Sequence, residues 1–271
     1  MSQQSPSTLF FQSLLPFIKP VFKIGDNLKF LQLQKAVGLY SQYTFIQDNL
    51  LDGDLDVYGA HEEGVNPLAV GSSSNARALV MLAQLFEPAH PFWTLFDSYM
   101  KEYYDTLLHE KHLARHKTVI SQQVFEKNAL GKHAPAFIPV EGMLYLFKCT
   151  ASKEDLVKLL NHTFLAMQML DDIEDFAEDL GSGHNTYVLS KTKDFIAQNA
   201  LENPHELERF EERVFYMSDF GDAANEYAIE HFTRAREACT ALGLDTYSQW
   251  VDAMLRILGH NKKVMASAKG A

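Results

Sequence analysis

The sequence predicts an all-α protein. Apolar residues recur at i, i+3 and i+4 along nearly the whole chain, no alternating strand pattern of useful length appears, and two long connections, 53–71 and 181–191, punctuate it. In order, Pro16 and Pro20 predict a short, broken first helix. A stripe of Leu33, Val37, Tyr40 and Thr44 marks a helix over 27–52, with Gly53 as its stop. Ser72-Ser73-Ser74 reads as the cap of a helix over 72–86, and the same periodicity continues over 91–113, 115–130 and 135–149. Ser152, followed three residues on by Asp155, opens a helix over 153–180 whose stripe is Leu156, Leu159, Leu160, Phe164 and Met167. Asn203-Pro204 starts 204–217, Gly243 closes 219–242 and Asp245 opens 245–258.

With 271 residues, 46% of them hydrophobic, the chain can bury one sizeable core, and the lack of a Pro/Gly/Ser linker or a repeat favours a single domain over 1–271. A formal charge of −11 argues against a nucleic-acid surface, which needs a basic stripe. No apolar run reaches the ~18–20 residues of a membrane helix, so no stable membrane insertion is expected. The N-terminus has neither a basic start nor a small-residue cleavage site, which predicts a cytoplasmic protein. Cys149 and Cys239 lack metal-ligand spacing and read as small buried hydrophobes in a reducing compartment.

The chemistry concentrates in two acidic stretches. In Gln168-Met169-Leu170-Asp171-Asp172-Ile173-Glu174-Asp175 the apolar stripe runs on into Asp171 and Asp175, and Asp171, Asp172 and Asp175 fall within an arc of roughly 100°. Carboxylates gathered at the edge of an apolar interior repel one another and call for a cation; an all-oxygen set suits Mg²⁺. In Gln47-Asp48-Asn49-Leu50-Leu51-Asp52-Gly53-Asp54, Asp48 and Asp52 are i, i+4 neighbours in a last helical turn, where the dipole disfavours acids. Two apolar helices ending this way suggest a shared metal site.

These stretches, with Arg115-His116-Lys117-Thr118 between them, resemble the motifs of class I isoprenoid synthases, the trans-prenyl diphosphate synthases and terpene cyclases. QDNLLDGD is similar to the first aspartate-rich motif, with Asn49 in place of its second aspartate. MQMLDDIEDFAEDL followed by Gly183-His184-Asn185-Thr186-Tyr187 is similar to the second. The resemblance implies an antiparallel helix bundle around a central apolar cavity and a homodimer. It further implies Mg²⁺ held by Asp48, Asp52, Asp171, Asp172 and Asp175, and a prenyl diphosphate held by Lys117 and Arg115. Gln168 would orient a metal ligand or steady a cationic intermediate. The departures bear on substrate number. The Gly-Lys-Arg element that precedes the first motif in condensing enzymes is replaced by Phe22-Lys23-Ile24-Gly25-Asp26-Asn27, and no arginine occurs before Arg77. The second diphosphate pocket is therefore expected to be dismantled, unless Lys29, Lys35 or Lys132 replaces the arginines. The expected activity is that of a terpene synthase ionising one allylic diphosphate. A chain-elongating synthase and a non-catalytic prenyl-synthase-like subunit are the alternatives.

His109, His112 and His116 share a helical face, yet a zinc helix of HExxH type would need histidine where Leu113 stands. The one Glu-x-x-His, Glu202 to His205, spans Pro204 and does not suit a di-iron bundle. Aromatics near the motifs (Tyr40, Phe45, Phe125, Phe164, Tyr187) are candidates to line a cavity that shelters a carbocation.

Overall fold

The computed structural model describes residues 6–52, 66–203 and 206–269, and across them the chain is all-α, with twelve α-helices and one two-stranded pairing. The helices are α1 (Pro6–Ile18), α2 (Asn27–Asp52), α3 (Pro67–Ala83), α4 (Phe92–His116), α5 (Gln122–Lys132), α6 (Phe137–Leu146), α7 (Lys153–Glu174), α8 (Phe176–Ser182), α9 (Tyr187–Gln198), α10 (Phe210–Met217), α11 (Asp219–Leu242) and α12 (Asp245–Lys269). Most of 53–71, including Asp54, and residue Pro204 lie outside the described residues. The chain divides into two compact units, Met1–Tyr99 with Ala136–Thr150, and Met100–Pro135 with Ala151–Ala271.

In the first unit, α2 packs chiefly against α3. Leu33, Val37 and Tyr40 are buried as their spacing predicts, whereas Thr44 is only half-buried. Gly142 on α6 lets Leu33 approach closely: a Cβ there would lie 3.1 Å from Leu33 Cδ1. Phe86 stacks on Phe92 with centroids 4.0 Å apart, and Tyr40 meets Phe96 at 5.3 Å. The expected break in the first helix falls after Ile18, in a 3₁₀ turn through Pro20, while Pro16 stays inside α1. The third helix starts earlier than expected. Asn66 Oδ1 accepts the Ala69 N–H at 3.2 Å and Pro67 occupies the first helical position, so the serines lie inside α3, where Ser74 donates to Gln42 at 2.9 Å. α6 stops at Leu146 because the next residues pair as a strand, β2 (Lys148–Cys149) against β1 (Phe22–Lys23), antiparallel with Phe22 opposite Cys149.

In the second unit, α7 packs along α11, and α11 along α12. The α7 stripe Leu156, Leu159, Leu160, Phe164 and Met167 is buried throughout, and Ser152 Oγ caps its start by accepting the Asp155 N–H at 3.0 Å. α11 closes at Gly243, whose φ of +67° is the left-handed conformation a C-terminal glycine supplies. His133 stacks on Phe164 at 4.7 Å, and burial lowers its pKa to about 4, so it serves the core as a neutral ring. Three expectations are corrected here. The 115–130 helix is interrupted by Lys117, at φ 48°, and restarts at Gln122 under Ser121. α10 begins only at Phe210, because the Leu207 N–H donates to Asn203 Oδ1 at 2.7 Å and Arg209 is left-handed, making this stretch a turn. α12 runs on to Lys269, held by buried Met265 and a Lys269–Asp222 ion pair at 2.6 Å.

One buried polar pair links α7 to α12. Thr163 donates to the Leu159 carbonyl at 3.0 Å, leaving its oxygen to accept from Tyr247 at 2.7 Å. Tyr247→Phe is expected to lower unfolding free energy by about 1 kcal/mol, readable as a smaller urea midpoint at unchanged slope. An unchanged midpoint would mean the bond contributes nothing net.

Candidate acidic site at the end of α7

The acids of the second motif sit where α7 gives way to α8. α7 ends at Glu174, capped by Asp175, whose N–H donates to the Asp171 carbonyl at 2.9 Å, and α8 follows at once with Phe176. No proline or glycine forces this break. Ile173 and Phe176, on either side of the break, are both buried, Phe176 stacking on Phe215 at 5.3 Å. Gly183, at φ 78°, ends α8.

Burial differs from the simple extension of the stripe. Asp172 is the most enclosed acid at 4% exposure, Asp179 follows at 8%, Asp171 is half-buried, and Glu174 and Asp175 are exposed. Burial pushes the Asp172 carboxyl up to about 8; Asp171, Asp179 and Glu110 add to the rise, and a hydrogen bond from Gln168 Nε2 to its Oδ1 at 2.9 Å opposes it. Burial, then Asp175, raises Asp171 to about 7 against the pull of Lys132. Asp179 stands at about 6, raised by burial and lowered by His184, whose Nδ1 lies 3.4 Å from its Oδ1. Burial and Glu178 raise Asp175, and burial and Asp175 raise Glu174. Burial is the largest cause of each of these shifts, and neighbouring like charges add to it.

Three members of this set, Asp179, His184 and Glu110, are not among the candidate residues of the sequence, which offers Lys132 only as a cation for a second diphosphate. Asp179 continues the i, i+4 series of Asp171 and Asp175, a signal that was available. His184 stands in the quoted motif, but its pairing depends on the turn at Gly183. Lys132 at the end of α5 and Glu110 on α4 reach the acids through the tertiary fold, and no local pattern marks them.

The lysine–threonine element belongs to the same unit and is stitched to the second motif. Lys117 takes a left-handed conformation just past α4, with the Thr118 N–H donating back to the Leu113 carbonyl at 3.2 Å. Asn185, in the connection after α8, donates to the Thr118 carbonyl at 2.8 Å, and the Ile120 N–H donates to Ser190 Oγ on α9 at 3.1 Å. Arg115 and Lys117 keep exposed side chains. Among the aromatics, Phe125 and Tyr187 meet at 5.0 Å in this unit, while Phe164 is core.

Asp48 and Asp52 belong to the first unit. Both lie in the C-terminal part of α2, Asp48 half-buried; the side chain of Asp52 and the expected stop at Gly53 lie outside the described residues. Among the described residues no three His, Cys, Asp or Glu side chains converge as a ready chelate. The donor chemistry of the α7 acids nonetheless fits Mg²⁺, which usually takes one or two carboxylates and completes its shell with water and substrate phosphates. A hard cation would also relieve the repulsion that raises these pKa values.

No protein-family model matches this chain, and comparisons with curated proteins and with solved structures found no match. The likeness to isoprenoid synthases therefore rests on the three motifs and their order.

Proposed function

We propose that this chain is a Mg²⁺-dependent class I terpene synthase that ionises a single allylic prenyl diphosphate and releases a hydrocarbon or alcohol. The observation that carries the reading is the set of carboxyls Asp171, Asp172 and Asp179, whose pKa values burial raises, in the same unit as the Lys117 segment, which Asn185 ties at Thr118 to the connection after α8. Bound Mg²⁺ would act as a Lewis acid on the departing diphosphate. Asp171 and Asp172 would lose their protons on ligation, with Asp175 as the exposed partner. Gln168 holds Asp172 Oδ1, which orients the other oxygen. Lys117 and Arg115 would donate charge-assisted hydrogen bonds to diphosphate oxygens. Asp48 and Asp52 keep the metal-binding role their motif suggests. A homodimer and a cytoplasmic setting belong to the proposal; no helix among the described residues is long and apolar enough to cross a membrane.

Lys132 bears on substrate number. Its charge acts on Asp171, Asp175 and Asp179, so it answers the acids of the second motif rather than standing as a fixed cation for a second diphosphate. Holding a second diphosphate in a cleft without cations costs on the order of several kcal/mol.

The test is incubation with Mg²⁺ and allylic diphosphates of increasing length, with and without labelled isopentenyl diphosphate. Diphosphate release is expected without isopentenyl diphosphate, and no label is expected in the product. A lengthened labelled product would restore the elongation reading; no turnover of any substrate would favour the non-catalytic subunit. Asp171→Ala and Asp48→Ala are each expected to slow diphosphate release by about 10³-fold, the equivalent of ~4 kcal/mol of transition-state stabilisation.

A further inference from the structure

On the flank of α7 away from the stripe, a second cluster plays no part in the chemistry proposed above. His162 on α7 and His231 on α11 bring their Nδ1 atoms to 3.1 Å, with ring planes 59° apart. Both rings are half-buried. Tyr227 stacks on His231 at 4.4 Å and donates its hydroxyl to Glu126 at 3.1 Å, which fixes that ring's face. An open groove of about 430 Å³, lined by Leu130, Val157, Lys158 and Leu165 among others, reaches His162 from solvent.

We propose that His162 and His231 form a transition-metal site that clips α7 to α11. Metal–imidazole bonds run ~2.0–2.1 Å, so nitrogens 3.1 Å apart subtend roughly 95–102° at one ion. That angle lies between the octahedral and tetrahedral values, so both Nδ1 lone pairs can meet one Zn²⁺ or Cu²⁺ once each turns by roughly 40° off the line that now joins them. Imidazole favours these ions over Mg²⁺, which takes oxygen.

The surroundings keep the ligands in their binding form. Burial lowers the His231 pKa to about 4, helped by His162 and Arg234; burial, Arg234 and Lys158 lower that of His162. Both rings are therefore neutral near pH 7, the state that binds metal. Without metal, one Nδ1–H donates to the other Nδ1. Binding requires the donating ring to carry its hydrogen on Nε2 instead, with no net proton release. Glu230 and Glu126 supply negative charge near the pair; Glu230 is itself ion-paired with Arg234. Water would complete the shell from the groove.

The test uses the full chain stripped of metal. Zn²⁺ is titrated by calorimetry, and Tm is followed with Zn²⁺ and with Mg²⁺. His162→Gln and His231→Gln are compared with His112→Gln/His116→Gln, which removes the neighbouring histidines at i, i+4 on α4, whose rings lie 4.4 Å apart. The expected result is one Zn²⁺ bound through the inter-helix pair and a rise in Tm that Mg²⁺ does not give. His162→Gln or His231→Gln should cut affinity by at least about tenfold, since even outer-shell partners of a metal are worth that much. Binding and Tm shift unchanged in both variants, or lost only with His112 and His116, would overturn the site. If both single variants fail to fold, Cu²⁺ resonance spectra of His112→Gln/His116→Gln decide. Coupling to two nitrogens supports the site, and coupling to fewer overturns it.

Discussion

Asp172→Asn is expected to stabilise the metal-free protein at pH 8 by on the order of 3 kcal/mol, to leave it nearly unchanged at pH 4, and to cost most of the diphosphate-releasing activity. Asp172 is 4% exposed and its carboxyl is raised from 3.8 to about 8, so the folded chain retains a proton that the unfolded chain sheds. Where the folded state binds the extra proton, stability falls as pH rises, by up to ~1.4 kcal/mol per unit for one group. The penalty is absent below the unfolded pKa of 3.8, grows through the interval, and is complete above about 8. Relaxation and water entry hold the realised value below that ceiling. Asparagine never ionises, so it avoids the penalty, and its oxygen still accepts the bond from Gln168. Activity should fall because a neutral amide is a poorer ligand for a hard cation. Urea unfolding at the two pH values in the presence of a chelator measures the effect. A variant less stable than the wild type at pH 8, or equally stabilised at both pH values, would show that this carboxyl is not held protonated by burial.

The parts of the fold that were legible are those whose cause is local. Ser152 and Gly243 set their helix ends through one side-chain hydrogen bond and one left-handed glycine, and both were readable. α2 runs over Asn27–Asp52 as its stripe predicts, and the expected stop at Gly53 lies outside the described residues. The Asn66-Pro67 start of α3 was equally local but was hidden among the glycines of the preceding stretch. α9 begins inside the expected 181–191 connection, where Thr186 Oγ1 caps it by accepting the Leu189 N–H at 3.4 Å. The break between α7 and α8 had no such signal. Phe176, just past it, stacks on Phe215, a partner nearly forty residues on. The same holds for the site. Asp171, Asp172 and Asp175 follow from periodicity, and Asp179 extends the same i, i+4 series. Lys132 and Glu110 are placed by the packing of other helices, and so is the depth that makes Asp172 rather than Asp175 the enclosed acid.

Gly221→Ala is expected to destabilise the second unit by about 1–3 kcal/mol, among the largest effects a single methyl can have here. Gly221 lies in the first turn of α11, where its N–H donates to the Ser218 cap at 3.1 Å. A Cβ there would come to 2.3 Å from the Phe215 carbonyl oxygen and 3.0 Å from Met265 Cε. The methionine can turn aside, but the carbonyl is backbone in the last turn of α10, and the Ser218 hydroxyl also donates to it at 2.8 Å. Relief therefore requires moving α10 against α11, which disturbs the capping serine together with the α7–α11 packing beyond it. The gain in helix propensity from glycine to alanine, ~1 kcal/mol, is too small to offset this. Gly259 supplies the control. It lies inside α12 with open space around its Cα, so Gly259→Ala meets nothing and keeps the propensity gain, stabilising by about 0.5–1 kcal/mol. Urea midpoints of the two variants should move in opposite directions. A Gly221→Ala midpoint at or above that of the wild type would mean that α10 and α11 are not held as close at Ser218 as the 2.3 Å approach requires.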